Sequence, residues 1–247
     1  MPSRELSLQK THDRQVTHPK LVVVMIHGIA SDSSSFNHAL KFLENVDSLK
    51  NIRFVTFDLL GSGQSLKSDE LNYDYKDQLE ALYNSIEKLN LGQTPLVLVG
   101  HSLGTFIVTR YADTYKNTVK KLVLISPPVY TEDDLENPAF EKGIQLFKDA
   151  VSLKDREILQ EKSFSASMEN IVLDRKNYVV LSKLKTPTIL IYGSLDRFIA
   201  HYNLPKLLKT NPEYLSAIRT DGRHGVTRDK YTKLVKILEE MQDAKNL

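Results

Sequence analysis

The stretch Leu96-Val97-Leu98-Val99-Gly100-His101-Ser102-Leu103-Gly104 constrains this chain more than any other. Four apolar residues, two of them β-branched, read as a buried parallel strand. Thr105 to Ala112 continues with helical character, so G-x-S-x-G falls between a strand and a helix. A turn that tight brings the residues two before and two after the serine nearly into contact. Glycine at both places relieves the crowding. The strained turn lifts the Ser102 hydroxyl above the sheet and sets the Leu103 N–H at a helix start, ready to donate to an oxyanion.

The rest of the chain supplies the sheet that such a turn needs. Leu21–Ile26 is a continuous apolar run ending in His27-Gly28-Ile29, and Ile52–Phe57 ends in Asp58-Leu59-Leu60-Gly61-Ser62-Gly63-Gln64-Ser65. That loop only superficially resembles a phosphate cradle, because Leu66 stands where a third glycine belongs and no helix opens directly behind it. Further strands are expected at Lys121–Ser126, Thr188–Gly193 and Leu215–Arg219, with a weak edge strand or hairpin near Glu5-Leu6-Ser7-Leu8. Helical spacing is visible in Phe36–Leu43, Tyr75–Leu91, Leu204–Lys209 and the final segment, where Tyr231, Leu234, Ile237 and Leu238 face inward. Strand and helix alternate, which predicts an α/β fold: a mostly parallel sheet with helices on both faces.

The alternation breaks between Val129 and Lys185. This segment carries an acidic tract, Glu132-Asp133-Asp134-Leu135-Glu136, read as a solvated face. It also has helical patterns around Phe140–Val151, Asp155–Glu161 and Met168–Leu184. It is expected to be a small helical cap, 129–185, inserted into a core made of 1–128 and 186–247. Phe140, Phe147, Phe164, Met168 and Tyr178 exceed what a linker needs, so some should face a pocket.

Open α/β sheets bind ligands beyond the carboxyl ends of their strands. Ser102, Asp196 and His224 fall there, in that order. A serine hydroxyl becomes a good nucleophile when an imidazole takes its proton, and a carboxylate must hold that imidazole in the right tautomer. His201 follows Asp196 by only five residues, too close to reach both partners. Asp221 is a rival acid, but it shares a turn with His224 and is better suited to shaping that turn.

His27-Gly28, Asp58-x-x-Gly61-x-Gly63-x-Ser65, Gly100-His101-Ser102-Leu103-Gly104, Tyr192-Gly193-x-x-Asp196 and the late His224 together resemble the α/β-hydrolase superfamily from about residue 21 onward. The resemblance implies a catalytic set of Ser102, Asp196 and His224, and oxyanion donors at the backbone of Ile29 and Leu103. It also implies supporting roles for His27 and His101, with the 129–185 insertion standing where relatives carry a cap. The chain lacks the H-G-G-G loop of many lipases and esterases and the H-G-G-P loop of proline iminopeptidases. Its nucleophile is not the aspartate of dehalogenases and epoxide hydrolases.

The activity expected is that of a serine hydrolase on a small or medium carboxylic ester, through an acyl-enzyme intermediate. Thioester hydrolysis, C–C bond hydrolysis and acyl transfer remain open on the same triad, as does a non-catalytic ligand-binding member of the fold. The expected partner is a small acyl substrate, with no cofactor and no metal. Zero cysteines exclude disulfides and thiolate zinc sites. A net charge of +2, without a basic face interleaved with aromatics, argues against nucleic acid. Met1–Lys20 is polar and no apolar run reaches the ~18 residues of a membrane span, so a cytoplasmic location is expected.

Overall fold

The computed structural model describes residues 5–150 and 161–243. Its sheet has seven strands in the order β1-β3-β2-β4-β5-β6-β7. They are β1 (Gln9–Asp13), β2 (Leu21–Ile26), β3 (Ile52–Asp58), β4 (Leu96–His101), β5 (Lys121–Ile125), β6 (Thr188–Gly193) and β7 (Leu215–Thr220). All neighbours pair in parallel except β1, which runs antiparallel along β3. The fold is the α/β arrangement the alternation predicts.

Strand residues alternate between two cores. Val22, Val24, Ile26 and Leu98 face α2 (Tyr75–Glu87) and α3 (Leu103–Thr114) on one side. Leu21, Val23, Met25 and Val99 face α1 (Asn37–Leu43) and α9 (Arg228–Gln242) on the other. Burial on both faces is why these strands lack polar alternation. The chain steps from β2 outward to β3 and then back across β2 to β4. The strand order therefore reverses between β2 and β4, with Ile26 level with Gly100. Such a switch opens a crevice at the strands' carboxyl ends.

The first strand lies downstream of the expected Glu5–Leu8. The pairing edge of β3 selects Gln9–Asp13, while Leu8 is buried and its N–H donates to Ser85 Oγ at 2.7 Å. Between β5 and β6 the described residues form α4 (Glu132–Leu135), α5 (Pro138–Ala150), α6 (Glu161–Ser167), a π-type turn (Met168–Val172) and α7 (Asn177–Lys183). The helical pattern at Asp155–Glu161 lies almost wholly outside the described residues. The acidic tract is not wholly solvated. Thr131 and Asp134 form a reciprocal capping box, and buried Asp134 also accepts from Asn203 Nδ2 at 2.7 Å. The expected single helix Met168–Leu184 is broken because Asn177 Nδ2 donates to Ile171 O at 2.6 Å, taking over a carbonyl that the helix would have used. A further helix, α8 (Leu204–Thr210), joins β6 to β7. Among the described residues no helix is long and apolar enough to cross a membrane.

Candidate active site

Ser102 sits between β4 and α3 with φ 51° and ψ −118°, a conformation that L side chains rarely adopt. The surrounding backbone leaves it no alternative. A Cβ on Gly100 would lie 2.5 Å from Gly104 O, and one on Gly104 would lie 2.3 Å from Ile26 O, so both positions exclude any side chain. The Ser102 N–H donates to Ile125 O at 3.0 Å, and its carbonyl accepts from Thr105 N and Oγ1 at 2.9 and 2.6 Å. The turn is locked from both sides.

His224 arrives from the loop after β7, and its Nε2 lies 2.9 Å from Ser102 Oγ. Its Nδ1 is 2.9 Å from each oxygen of Asp196, which comes from the loop after β6. A bond to carboxylate fixes the proton on Nδ1 and leaves the Nε2 lone pair for the serine. Asp196 is only 2% exposed. Burial alone would raise its pKa. Hydrogen bonds from His224, the Phe198 N–H and the Ser126 hydroxyl, together with attraction to His224, outweigh burial and hold the carboxyl below its usual range. The three residues named from chain order are thus drawn into one line.

The rival candidates stand aside. His201 Nε2 donates to the backbone oxygen of Asp196 at 2.7 Å, away from Ser102, and Asp221 is exposed. Ile29 and Leu103 border a cavity of about 10 Å³ next to Ser102, and neither N–H has an acceptor among the described residues. Gly28 brings the first of them close, for a Cβ there would sit 3.0 Å from Ser102 Cβ. His27 braces this loop: Nδ1 donates to Gly28 O at 2.8 Å, and Nε2 accepts from Leu59 N at 2.9 Å. Complete burial pushes its pKa down, so it remains neutral and can accept.

Most amides of the loop Asp58–Ser65 are already engaged by protein acceptors. Leu60 N donates to Gln78 Oε1 at 3.1 Å and Gln64 N to Asp58 Oδ2 at 2.8 Å, as Leu59 N does to His27, so these amides are not free to cradle a phosphate. Among the described residues no cluster of three His, Cys, Asp or Glu could hold a metal. His101 donates from Nε2 to His224 O at 2.9 Å, and burial takes its pKa down to about 3. The sequence reading missed Lys230 and the hydroxyl of Ser126, which bond each other at 2.6 Å, the hydroxyl also helping to lower the Asp196 pKa. The available signal was a cation one turn before Leu234 on the apolar face of the last helix.

Comparison with known proteins places these observations in a family. A family model described as alpha/beta hydrolase fold matches residues 22–174. The probable lysophospholipase BODYGUARD 1 of Arabidopsis thaliana is 37% identical over 110 residues, covering 44% of this chain and 23% of that protein. Human monoacylglycerol lipase ABHD6 is 26% identical over 197 residues, covering 75% of this chain and 51% of that one. The chain therefore spans about a quarter to a half of the length of these relatives. Among solved structures, a carboxylesterase study of Nitrososphaera gargenis provides a match with TM-score 0.73 at 19% identity, covering 100% of this chain and 98% of that one.

Proposed function

The chain belongs to the alpha/beta hydrolase fold family, and on that premise we propose that it is a serine hydrolase cleaving a carboxylic ester through an acyl-enzyme intermediate. The observation that carries this reading is the unbroken line Ser102 Oγ, His224 Nε2, His224 Nδ1, Asp196, with every link at 2.9 Å. Ser102 attacks the ester carbonyl as His224 takes its proton. The tetrahedral oxyanion is received by the N–H groups of Ile29 and Leu103. His224 then protonates the leaving alcohol, and water repeats the sequence in reverse roles to release the acid. Ester-cleaving activity is also what the names of the lipase relatives suggest.

The acyl group is small in this reading. The cavity beside the oxyanion donors holds about 10 Å³, roughly room for one water or a methyl group. Ser163 and Phe164 border it from the 129–185 segment, which supports reading that segment as a cap. Replacing 129–185 by a short loop should change chain-length preference far more than acetate hydrolysis.

The test is reaction with a fluorophosphonate and turnover of p-nitrophenyl esters from acetate to decanoate. Ser102→Ala should lower turnover by on the order of 10⁴ or more, with the fold intact by circular dichroism. Label on Ser62, Ser65 or any serine other than Ser102 would overturn the assignment.

A further inference from the structure

Lys230 is fully buried, at 0% exposure, on the inner side of α9. Its Nζ donates to Ser126 Oγ at 2.6 Å, to Gly225 O at 2.9 Å and to Arg223 O. An ammonium has three N–H donors and no lone pair, so three oxygens satisfy it completely. A neutral amine would leave one of them without a proton. His101 holds the carbonyl between the other two, that of His224. Three successive carbonyls of the histidine loop are therefore held from two sides, two by one cation and one by a neutral imidazole.

Lys230 can only donate, so Ser126 Oγ must accept from it and turn its own proton elsewhere. That leaves the hydroxyl proton to turn toward the Asp196 carboxylate, where it helps hold the carboxyl below its usual range. Ser126 is poised for this by its own backbone: φ is 53° at the end of β5, and its N–H donates to Ile191 O at 2.8 Å. Resting on the function proposed above, we infer that Lys230 and Ser126 are positioning residues, the ammonium fixing the histidine loop and aiming the Ser126 hydroxyl at Asp196.

The arrangement has an electrostatic sign. A carboxylate that accepts a further hydrogen bond and faces a cation is a weaker base, and it stabilises the imidazolium of His224 less. Losing either partner strengthens Asp196 as a base and keeps His224 protonated to higher pH. The other groups around this centre are Arg197 and His201 from the β6 loop, Arg223 from the β7 loop, Asp229 from α9, His101 from β4 and Tyr130 after β5. Burial keeps His101 and Tyr130 neutral across the working range; burial also lowers the Lys230 pKa, against which Asp196, Asp229 and its three oxygen acceptors favour the ammonium. His201 is the other imidazole near Asp196, so His201→Gln serves as the control.

The rate of fluorophosphonate labelling at Ser102 is measured from pH 5 to 9, with thermal denaturation of each variant alongside. Lys230→Gln keeps two donors and removes the charge. It should slow labelling at neutral pH by about tenfold or more and move the acid limb up by about one pH unit. Ser126→Ala keeps the cation and removes the hydroxyl, and should move the limb the same way by about half as much. A purely structural role would lower stability and amplitude but leave the limb in place. Folded variants with the native limb would therefore overturn the inference. If Lys230→Gln does not fold, Ser126→Ala decides alone. A native protein that is not labelled at all sinks the hydrolase reading, whereas labelling with an unmoved limb sinks only this one.

Discussion

The two halves of the segment between β5 and β6 meet the rest of the molecule differently. From Pro138 to Asp149, α5 has no buried side chain; Leu146 is 61% exposed, and Phe140, Ile144 and Phe147 are only partly covered. It leans on ring contacts, Phe140 on Tyr130 at 4.6 Å and Phe147 on Phe198 at 5.3 Å. The second half buries Phe164, Met168, Ile171 and Val172 in the main core. Polar bonds also fasten it: Arg110 Nη2 to Asp174 at 2.7 Å, and Tyr75 Oη to Asn177 Oδ1 at 2.6 Å. Both halves show amphipathic spacing in the sequence. An apolar stripe makes a helix seek cover, but specific partners on α2 and α3 decide which helix becomes a wall of the site and which rests on its outer side.

The comparison can be broken by substitution. Phe164→Ala, in the fastened half, should cost about 3 kcal/mol in urea denaturation. It should also raise the octanoate-to-acetate ratio of kcat/KM about tenfold by opening the small cavity. An unchanged ratio would remove Phe164 from the acyl wall. Asp174→Ala tests the fastening itself and should cost about 1 kcal/mol, since the ion pair with Arg110 is mostly shielded from water. Phe147→Ala, in the leaning half, should change stability by no more than about 0.5 kcal/mol. Its effect on kcat/KM for an acetate ester should stay below about threefold. If Phe147→Ala proved as costly as Phe164→Ala, the two halves would not differ.

What the sequence made legible follows the same division. β2 was readable to the residue because burial on both faces demands an unbroken apolar run. Ser102, Asp196 and His224 were nameable because the hydrolase order places each just past a strand, where the structure joins them. β1 was misplaced because its polar residues carry little signal of their own and the edge of β3 selects them. Asp134 was read as a surface charge because its partners, Tyr202 and Asn203, lie nearly 70 residues away. Lys230 escaped for a related reason. Its acceptors are mostly backbone oxygens, which no residue type announces.

The closing helix also has a consequence for when the site comes into being. Ser102 and His224 are separated by 122 positions, and the lysine behind them is on α9, the last described helix. A ribosome delivers the elbow long before the base that activates it, and the sheet can begin to pair while the histidine loop is still unmade. The nascent chain therefore carries a dormant serine. On the proposed reading, turnover needs the histidine loop that Lys230 of α9 holds, so activity during synthesis should appear only after α9 has docked.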